Sequence, residues 1–215
     1  MKKTLIATAL AAPLLASAAN LLSNGSFETG LTDWVTATSG GVLFPPAVIS
    51  YGSGVAFGET VSADNAASLS PDLAAAKAVY FVDDNNMQSL THNFTVTGAG
   101  NYNVGFSIYA PNNGFVHPGG ASYSLLVDNI AVLSSSVGAA PLSASQTWVP
   151  LTGVVNLSAA NHTFAITFTT TGGLSKDIVI DRAYVTSAVP EPTTYGMLAM
   201  GLAVMGGMVR LRRRR

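Results

Sequence analysis

Aromatic and amide side chains are concentrated in one short stretch of the sequence, between Tyr109 and His117. Asn112, Asn113 and Phe115 lie within this stretch. An aromatic ring offers a flat apolar surface to the face of a sugar ring, and amide groups can pair with sugar hydroxyls. The stretch is therefore our candidate for sugar binding, and ordinary packing at the edge of a sheet is the alternative interpretation.

Patterns typical of catalysis are missing from the sequence. His92, His117 and His162 are not paired at the spacing of metal ligands. Neither the Gly-x-Ser-x-Gly nucleophile elbow nor the glycine pattern of dinucleotide-binding proteins occurs. These absences argue against an enzyme. A glycoside hydrolase is the less favoured alternative, because its two carboxylates can lie on different strands and leave no local pattern.

The charge distribution excludes one class of partner. Between residues 20 and 189, ten acidic residues outnumber the three basic ones, Lys77, Lys176 and Arg182. This part of the chain lacks the clustered Lys and Arg that bind phosphates, so we expect no nucleic-acid partner. The sequence also contains no cysteine, which excludes disulfide bonds and zinc–thiolate sites.

The elements that carry these residues lie between two specialised ends, of which the first is the N-terminus. Two lysines directly follow Met1, and no charged residue occurs from residue 4 to residue 16. Small residues then stand at positions 16 and 18, where signal peptidase requires them. The pattern predicts a secretory signal peptide over residues 1–19, cleaved after Ala18 or Ala19 by signal peptidase.

The C-terminus has a pattern of three consecutive parts. These are Val189, Pro190, Glu191 and Pro192, then residues 193–209 without a charge, and finally Arg210, Arg212, Arg213, Arg214 and Arg215. A helix over residues 193–209 would be about 25 Å long, at the lower limit for crossing a bilayer. The arginines would keep this terminus in the cytoplasm, while the signal peptide directs the preceding residues across the inner membrane.

This C-terminal region, residues 189–215, resembles the PEP-CTERM sorting signal of Gram-negative bacteria. The Pro-Glu-Pro motif, the uncharged segment and the terminal arginines occur in the same order in both. The resemblance implies processing by an exosortase, with a transient inner-membrane intermediate, and a final location outside that membrane. It also implies an organism that often produces exopolysaccharide. A permanent C-terminal membrane anchor is the alternative.

Strand patterns dominate residues 20–188. Tyr102, Val104, Phe106 and Ile108 alternate with residues of the opposite face, as in a strand that is buried on one side. Similar runs occur at 79–82, 89–97, 122–127, 130–135, 147–157, 164–169 and 178–186. Strands of this length and spacing predict an all-β domain, an antiparallel β-sandwich of the jelly-roll type.

Two local patterns add detail to this sandwich. Asp128 and Asn129 lie between two strand patterns and tolerate a positive φ, so they predict a two-residue hairpin turn. Ser70, Pro71 and Asp72 resemble the start of a helix, which predicts one or two helical turns ending near Lys77.

Three short segments resemble the carbohydrate-binding jelly rolls of the galactose-binding-like class. They are residues 20–28 followed by Gly30 and Trp34, residues 146–148, and residues 177–181. The resemblance implies that Trp34 and Trp148 pack inside the fold. It also implies a structural calcium ion between Glu28 and Asp181, because calcium in such folds joins the N-terminal segment to the last strand through oxygen ligands. An exposed pair of carboxylates at strand ends is the alternative.

The sequence thus predicts a non-catalytic protein of the cell surface or extracellular matrix, associated with exopolysaccharide during biofilm formation. One alternative is a carbohydrate-binding module with a defined glycan ligand. The other alternative is the glycoside hydrolase mentioned above.

Overall fold

A computed structural model describes residues 18–39, 44–53, 59–82, 86–174, 176–188, 201–202 and 204–205 of the chain. Residues 19–189 form one compact unit. The predicted sorting motif and its arginines lie outside the described residues, as do the signal peptide up to residue 17 and most of the predicted span 193–209. Within the described part of the chain, no helix combines the length and the apolar character needed to cross a membrane.

Among the described residues, ten strands form two antiparallel sheets, which confirms the predicted β-sandwich. They are β1 (Val35–Ser39), β2 (Ala47–Ser50), β3 (Lys77–Phe81), β4 (Met87–Thr95), β5 (Gly100–Tyr109), β6 (Gly120–Val127), β7 (Ile130–Ser136), β8 (Val149–Leu157), β9 (Asn161–Thr171) and β10 (Ile178–Ser187). Sheet A has the order β1-β4-β9-β6-β7, and sheet B has the order β2-β3-β10-β5-β8. A short helix, α1 (Asn112–Phe115), directly follows β5.

The main core lies between the two sheets and follows from the alternation in the sequence. In β9, Phe164, Ile166 and Phe168 are fully buried, while the residues between them are partly exposed. Phe106 and Ile108 of β5 face them from sheet B and are equally buried. Side chains at alternate positions of a strand point to the same side, so one apolar face of each sheet is removed from water.

The hairpin between β6 and β7 agrees with the prediction. Asp128 and Asn129 form its turn with φ angles of 51° and 64°. Both residues therefore lie in the left-handed region that this type of hairpin requires. The Asp128 carboxylate also accepts a hydrogen bond from the backbone N–H of Thr163 at 2.9 Å, which ties the turn to β9.

The helix predicted near residues 70–77 is wrong. Residues 70–76 are irregular, and Lys77 is already the first residue of β3. The backbone N–H groups of Ala76 and Lys77 donate to the Glu28 carboxylate, both at 2.9 Å. These two N–H groups therefore bond to the distant Glu28 side chain, whereas in a helix they would bond to carbonyl groups of the preceding turn.

The first residues of the folded unit are bound to its last strand. The backbone N–H of Leu21 donates to the carbonyl of Val185 at 2.9 Å. The Asn20 side chain donates to the carbonyl of Ala183 at 2.9 Å and accepts from the Val185 N–H at 3.0 Å. Asn20 also donates to the Asp72 carboxylate at 2.6 Å. The N-terminal segment is therefore attached along β10, in the middle of sheet B.

The outward face of sheet B is covered by residues 59–72, which we call the cover segment. Val61 of this segment packs with Tyr80, Tyr109, Trp148 and other residues in a second apolar cluster, on the opposite side of sheet B from the main core. The indole N–H of Trp148 donates to the carbonyl of Ser62 at 2.8 Å. The outward side chains of sheet A are instead exposed or only partly buried.

Candidate functional site

The predicted sugar-binding stretch lies at one end of sheet B. Tyr109 ends β5 and is buried at 2% exposure, with its ring 5.2 Å from the ring of Trp148. Asn112 and Asn113 begin α1 and are exposed. The two amides therefore reach solvent, whereas the Tyr109 ring is shielded from it.

A carboxylate that the sequence analysis did not single out organises this end of the sheet. Glu59 accepts hydrogen bonds from the backbone N–H groups of Asn112 and Asn113, both at 2.8 Å. It also accepts one from the Gln146 side chain at 3.1 Å. Burial by itself would raise the pKa of Glu59, but these hydrogen bonds outweigh it and hold the pKa below its usual value. Glu59 is therefore a fixed anion that holds three chain segments together.

Four polar residues around Glu59 form what we call the amide patch: the exposed Asn112, Asn113 and Gln146, and the partly buried Ser145. The Ser145 hydroxyl donates to the Asn112 side-chain carbonyl at 3.0 Å. Only Asn112 and Asn113 were identified from the sequence. Ser145 and Gln146 approach them through the fold, and no local pattern marks them.

The other predicted residues of the stretch take a different position. Phe115 is half-buried, and the Lys176 ammonium lies 5.1 Å from the centre of its ring. Lys176 also donates to the backbone carbonyls of Phe115 and His117. The cation occupies a face of the Phe115 ring, so the polar groups of this stretch are more accessible to a ligand than its aromatic rings.

The two carboxylates predicted to bind calcium are surrounded by donors. Glu28 accepts from two backbone N–H groups, as described above. Asp181 is buried, and it accepts from the Tyr51 hydroxyl at 2.5 Å and from the backbone N–H of Arg182 at 2.6 Å. The described residues contain no group of three or more His, Cys, Asp or Glu side chains that could hold a metal ion. Glu28 and Asp181 thus already accept hydrogen bonds from protein donors, and a calcium ion between them stays a prediction.

Asp181 belongs to a buried polar cluster beneath the cover segment. Arg182 pairs with Asp64 of this segment at 2.5 Å and donates to the carbonyl of Ala66 at 2.8 Å. Burial is the main cause that raises the pKa of Asp181, to about 8, and the Asp64 carboxylate adds to it. The hydrogen bonds from Tyr51 and Arg182 oppose this rise. The cover segment is thus held by charge as well as by apolar packing.

A shallow depression lies along β4 and β9 of sheet A. Its volume is about 470 Å³, and it is lined by Asn93, Phe94, Thr95, Asn161, His162 and Thr163 of β4 and β9. Two hydrogen bonds cross it, from Thr95 to Asn161 at 2.7 Å and from Thr163 to Asn93 at 3.1 Å. Its one large apolar residue, Phe94, is buried.

Comparison with known protein families identifies the C-terminus. Residues 188–215 match the model of the PEP-CTERM protein-sorting motif. The chain carries a PEP-CTERM sorting signal. This confirms the resemblance found in the sequence and implies an exported protein that an exosortase processes. The motif begins at Ala188, whose backbone N–H donates to the backbone carbonyl of Asn101 at 2.9 Å. The sorting signal therefore directly follows the folded unit.

The sandwich is similar to solved carbohydrate-binding modules, although no curated protein sequence matches the chain. TmCBM61, solved in complex with β-1,4-galactotriose, aligns with a TM-score of 0.52 and 18% identity, covering 78% of this chain and 98% of that one. A family 35 module from Clostridium thermocellum aligns at 0.41 with 18% identity, covering 74% and 95%. The first of these similarities confirms the jelly-roll fold.

Proposed function

We propose that the protein is an exported, exosortase-processed protein of the cell surface or extracellular matrix whose sandwich binds a glycan without catalysis. The observation that carries this proposal is that one chain contains a jelly roll similar to a galactotriose-bound module and, directly after it, a PEP-CTERM signal. Signal peptidase would remove residues 1–19, and the membrane would hold the C-terminal segment only until the exosortase acts. Exopolysaccharide of a biofilm is the proposed partner.

We place the glycan on the amide patch. Amide and hydroxyl groups provide both donors and acceptors for sugar hydroxyls. The hydrogen bonds from Asn112 and Asn113 to Glu59 fix the backbone beneath the patch, so little conformational entropy is lost when a ligand binds. Gln146 has a φ of 57°, which keeps its side chain at the patch through a backbone conformation that few residues adopt.

The state of Glu59 supports binding over hydrolysis. A glycosidase needs one carboxyl group with a raised pKa as its acid. The pKa of Glu59 is lowered instead, and its oxygens already accept three hydrogen bonds. In this proposal Glu59 organises the patch and takes no part in bond cleavage.

The test is a glycan array followed by calorimetry with the exported, mature protein. We expect saturable binding to a polysaccharide containing β-1,4-linked galactose or a related neutral sugar. Replacing Asn112→Ala together with Asn113→Ala should weaken binding by at least tenfold, which corresponds to about 1.4 kcal/mol. Both side chains are exposed, so the fold should be unaffected.

The matched control is Asn101→Ala together with Asn156→Ala. These two asparagines are also exposed, and they bond to each other at 2.9 Å near the other end of β5. Their loss should leave glycan affinity unchanged. Equal affinities of both double variants would overturn the placement on the amide patch, and no binding on the array would overturn glycan recognition itself.

Intact-mass analysis of the protein from its native cells tests the processing. We expect a chain that begins at Ala19 or Asn20 and ends close to Pro190. A mass that includes residues 193–215 in the mature protein would contradict exosortase processing and would favour a permanent anchor.

A further inference from the structure

Each sheet of the sandwich ends in two edge strands, and an edge strand presents backbone N–H and C=O groups that another chain can bind. The edges are β1 and β7 in sheet A, and β2 and β8 in sheet B. Proteins usually protect such edges with proline, charge, a bulge or a covering element. The four edges of this sandwich therefore indicate where another chain can add a strand.

Three of the four edges are protected. β7 and β8 contact each other, and Gly153 of β8 lies so close to Val132 of β7 that a Cβ atom would collide with it. β8 also contains Pro150, which has no N–H group to donate. β2 has only four residues and directly follows Pro45 and Pro46.

Within the described residues, β1 has no proline, charge, bulge or covering strand that would protect its edge. Its sequence, Val-Thr-Ala-Thr-Ser, contains no proline and no charged residue. Its pairing with β4 runs from Val35 to Ser39 without a bulge. Among the described residues, β4 is the only strand that pairs with it. In the part of the chain that the structure describes, the second side of β1 is therefore a regular strand edge.

β1 also extends beyond the rest of the sandwich. All five of its residues are exposed, and Val35 has 64% of its surface in solvent. Thr36 and Thr38 are exposed although their neighbours on β4, Leu90 and Gln88, are buried. The opposite sheet therefore does not cover β1, and another chain can reach it from either side.

The composition of β1 allows it to pair with a second copy of the same chain without repulsion between like charges. When a strand pairs with its own copy around a two-fold axis, each residue lies opposite its symmetry partner or close to it, so any charge would face a like charge. β1 contains no charge, and none of the other strands of sheet A contains Asp, Glu, Lys or Arg. A charged peptide, in contrast, finds no complementary group on this sheet.

We propose that two copies of the protein pair through β1 in antiparallel orientation, around a two-fold axis near Ala37. The two copies of sheet A then form one continuous ten-stranded sheet. The two β1 strands lie about 4.8 Å apart, as neighbouring strands of a sheet do. The amide patch belongs to sheet B, so the dimer presents two glycan sites, and the proposal does not depend on glycan binding.

Disulfide crosslinking of the exported, mature protein tests this geometry. The chain contains no cysteine, so a single Ala37→Cys substitution places the only thiol of each copy at the proposed axis. Opposite Cβ atoms in an antiparallel pair lie within about 5.5 Å, so mild oxidation should convert most of the protein into a covalent dimer. Thr152→Cys, which is exposed on β8, is the matched control and should remain mostly monomeric.

Sedimentation analysis provides the second measurement. The natural chain should dimerise as its concentration rises, and Ala37→Lys should weaken the dimer at least tenfold because two ammonium groups then face each other. Thr152→Lys should leave the dimer unchanged. A chain that is monomeric at every concentration, a dimer that Ala37→Lys leaves intact, or equal crosslinking by Ala37→Cys and Thr152→Cys would each overturn the proposal.

Discussion

The outward faces of the two sheets differ in their exposure to water: the face of sheet A is in contact with solvent, and the face of sheet B is covered. Sheet A presents short, uncharged side chains, as in the row formed by Ser89, Thr167, Ser124 and Ser134 on neighbouring strands. Sheet B presents tyrosines, a tryptophan, Asp181 and Arg182, and the cover segment separates them from solvent.

The difference shows what a cover segment must supply. Hydroxyl groups on sheet A can bond to water and to each other, as Ser124 and Ser134 do at 2.9 Å, so no further element is needed. A buried guanidinium needs a partner of opposite charge, because an isolated buried charge is very unfavourable. Asp64 is that partner, and it lies in the cover segment itself. The cover segment and the buried polar cluster of Asp181 and Arg182 therefore stabilise each other.

The largest expected effect comes from separating this pair. Arg182→Met should lower the free energy of unfolding by about 3–5 kcal/mol, because it leaves the Asp64 carboxylate buried without its cation. Denaturant unfolding of the mature protein measures the loss. An effect below 1 kcal/mol would show that the cover segment does not depend on the charge pair.

The next largest effect is expected in the pH dependence of stability, which the buried Asp181 carboxyl group of sheet B should influence. Asp181 is protonated in the folded protein up to a pKa of about 8, whereas an unfolded chain loses this proton near pH 4. Its contribution to stability is therefore complete below about pH 4 and falls as the pH rises towards 8. Asp181→Asn should flatten this decline in thermal unfolding curves. An unchanged pH profile would contradict the assignment to Asp181.

A moderate effect is expected where the cover segment bonds to the sheet. Trp148→Phe removes the hydrogen bond to Ser62 and should cost about 1–2 kcal/mol. Hydrogen exchange should then become faster in residues 59–72 and stay constant in β9. Trp34→Phe removes a similar bond, from its indole N–H to Asn24 at 3.0 Å, and should leave exchange of the cover segment unchanged.

The smallest effect is expected on sheet A. Thr167→Ala should change the free energy of unfolding by no more than about 0.5 kcal/mol, because the side chain is only partly buried and covers no charged group. The same unfolding measurement applies. A loss comparable to that of Arg182→Met would mean that the two faces do not differ in the way described.

The sequence predicted the strands whose burial alternates and missed those whose burial does not. β5 and β9 were identified because one face of each packs into the core. β1 was missed because all five of its residues are exposed, so its sequence has no apolar face. β2 was missed because it has four residues and follows two prolines. Strands held mainly by backbone pairing leave little signal in side-chain patterns.

The candidate site was predicted only in part, for a similar reason. Asn112 and Asn113 are adjacent in the sequence, so the sequence pattern identified them together. Glu59 lies more than fifty residues earlier in the chain and reaches them only through the fold. The wrong helix near residues 70–77 has the same origin, because its N–H groups bond to Glu28, which is 48 residues from Ala76. Long-range hydrogen bonds cannot be derived from local patterns.

The attachment of Asn20 to β10 determines the order in which the domain can be completed. The side chain of Asn20, at the start of the folded unit, accepts a hydrogen bond from the backbone N–H of Val185, which lies 165 positions later in the chain. β10 is also the central strand of sheet B, so β3 and β5 have no common neighbour until it arrives. Sheet B is therefore completed only when β10, the strand just ahead of the sorting signal, is available, and the N-terminal segment is attached at that same step.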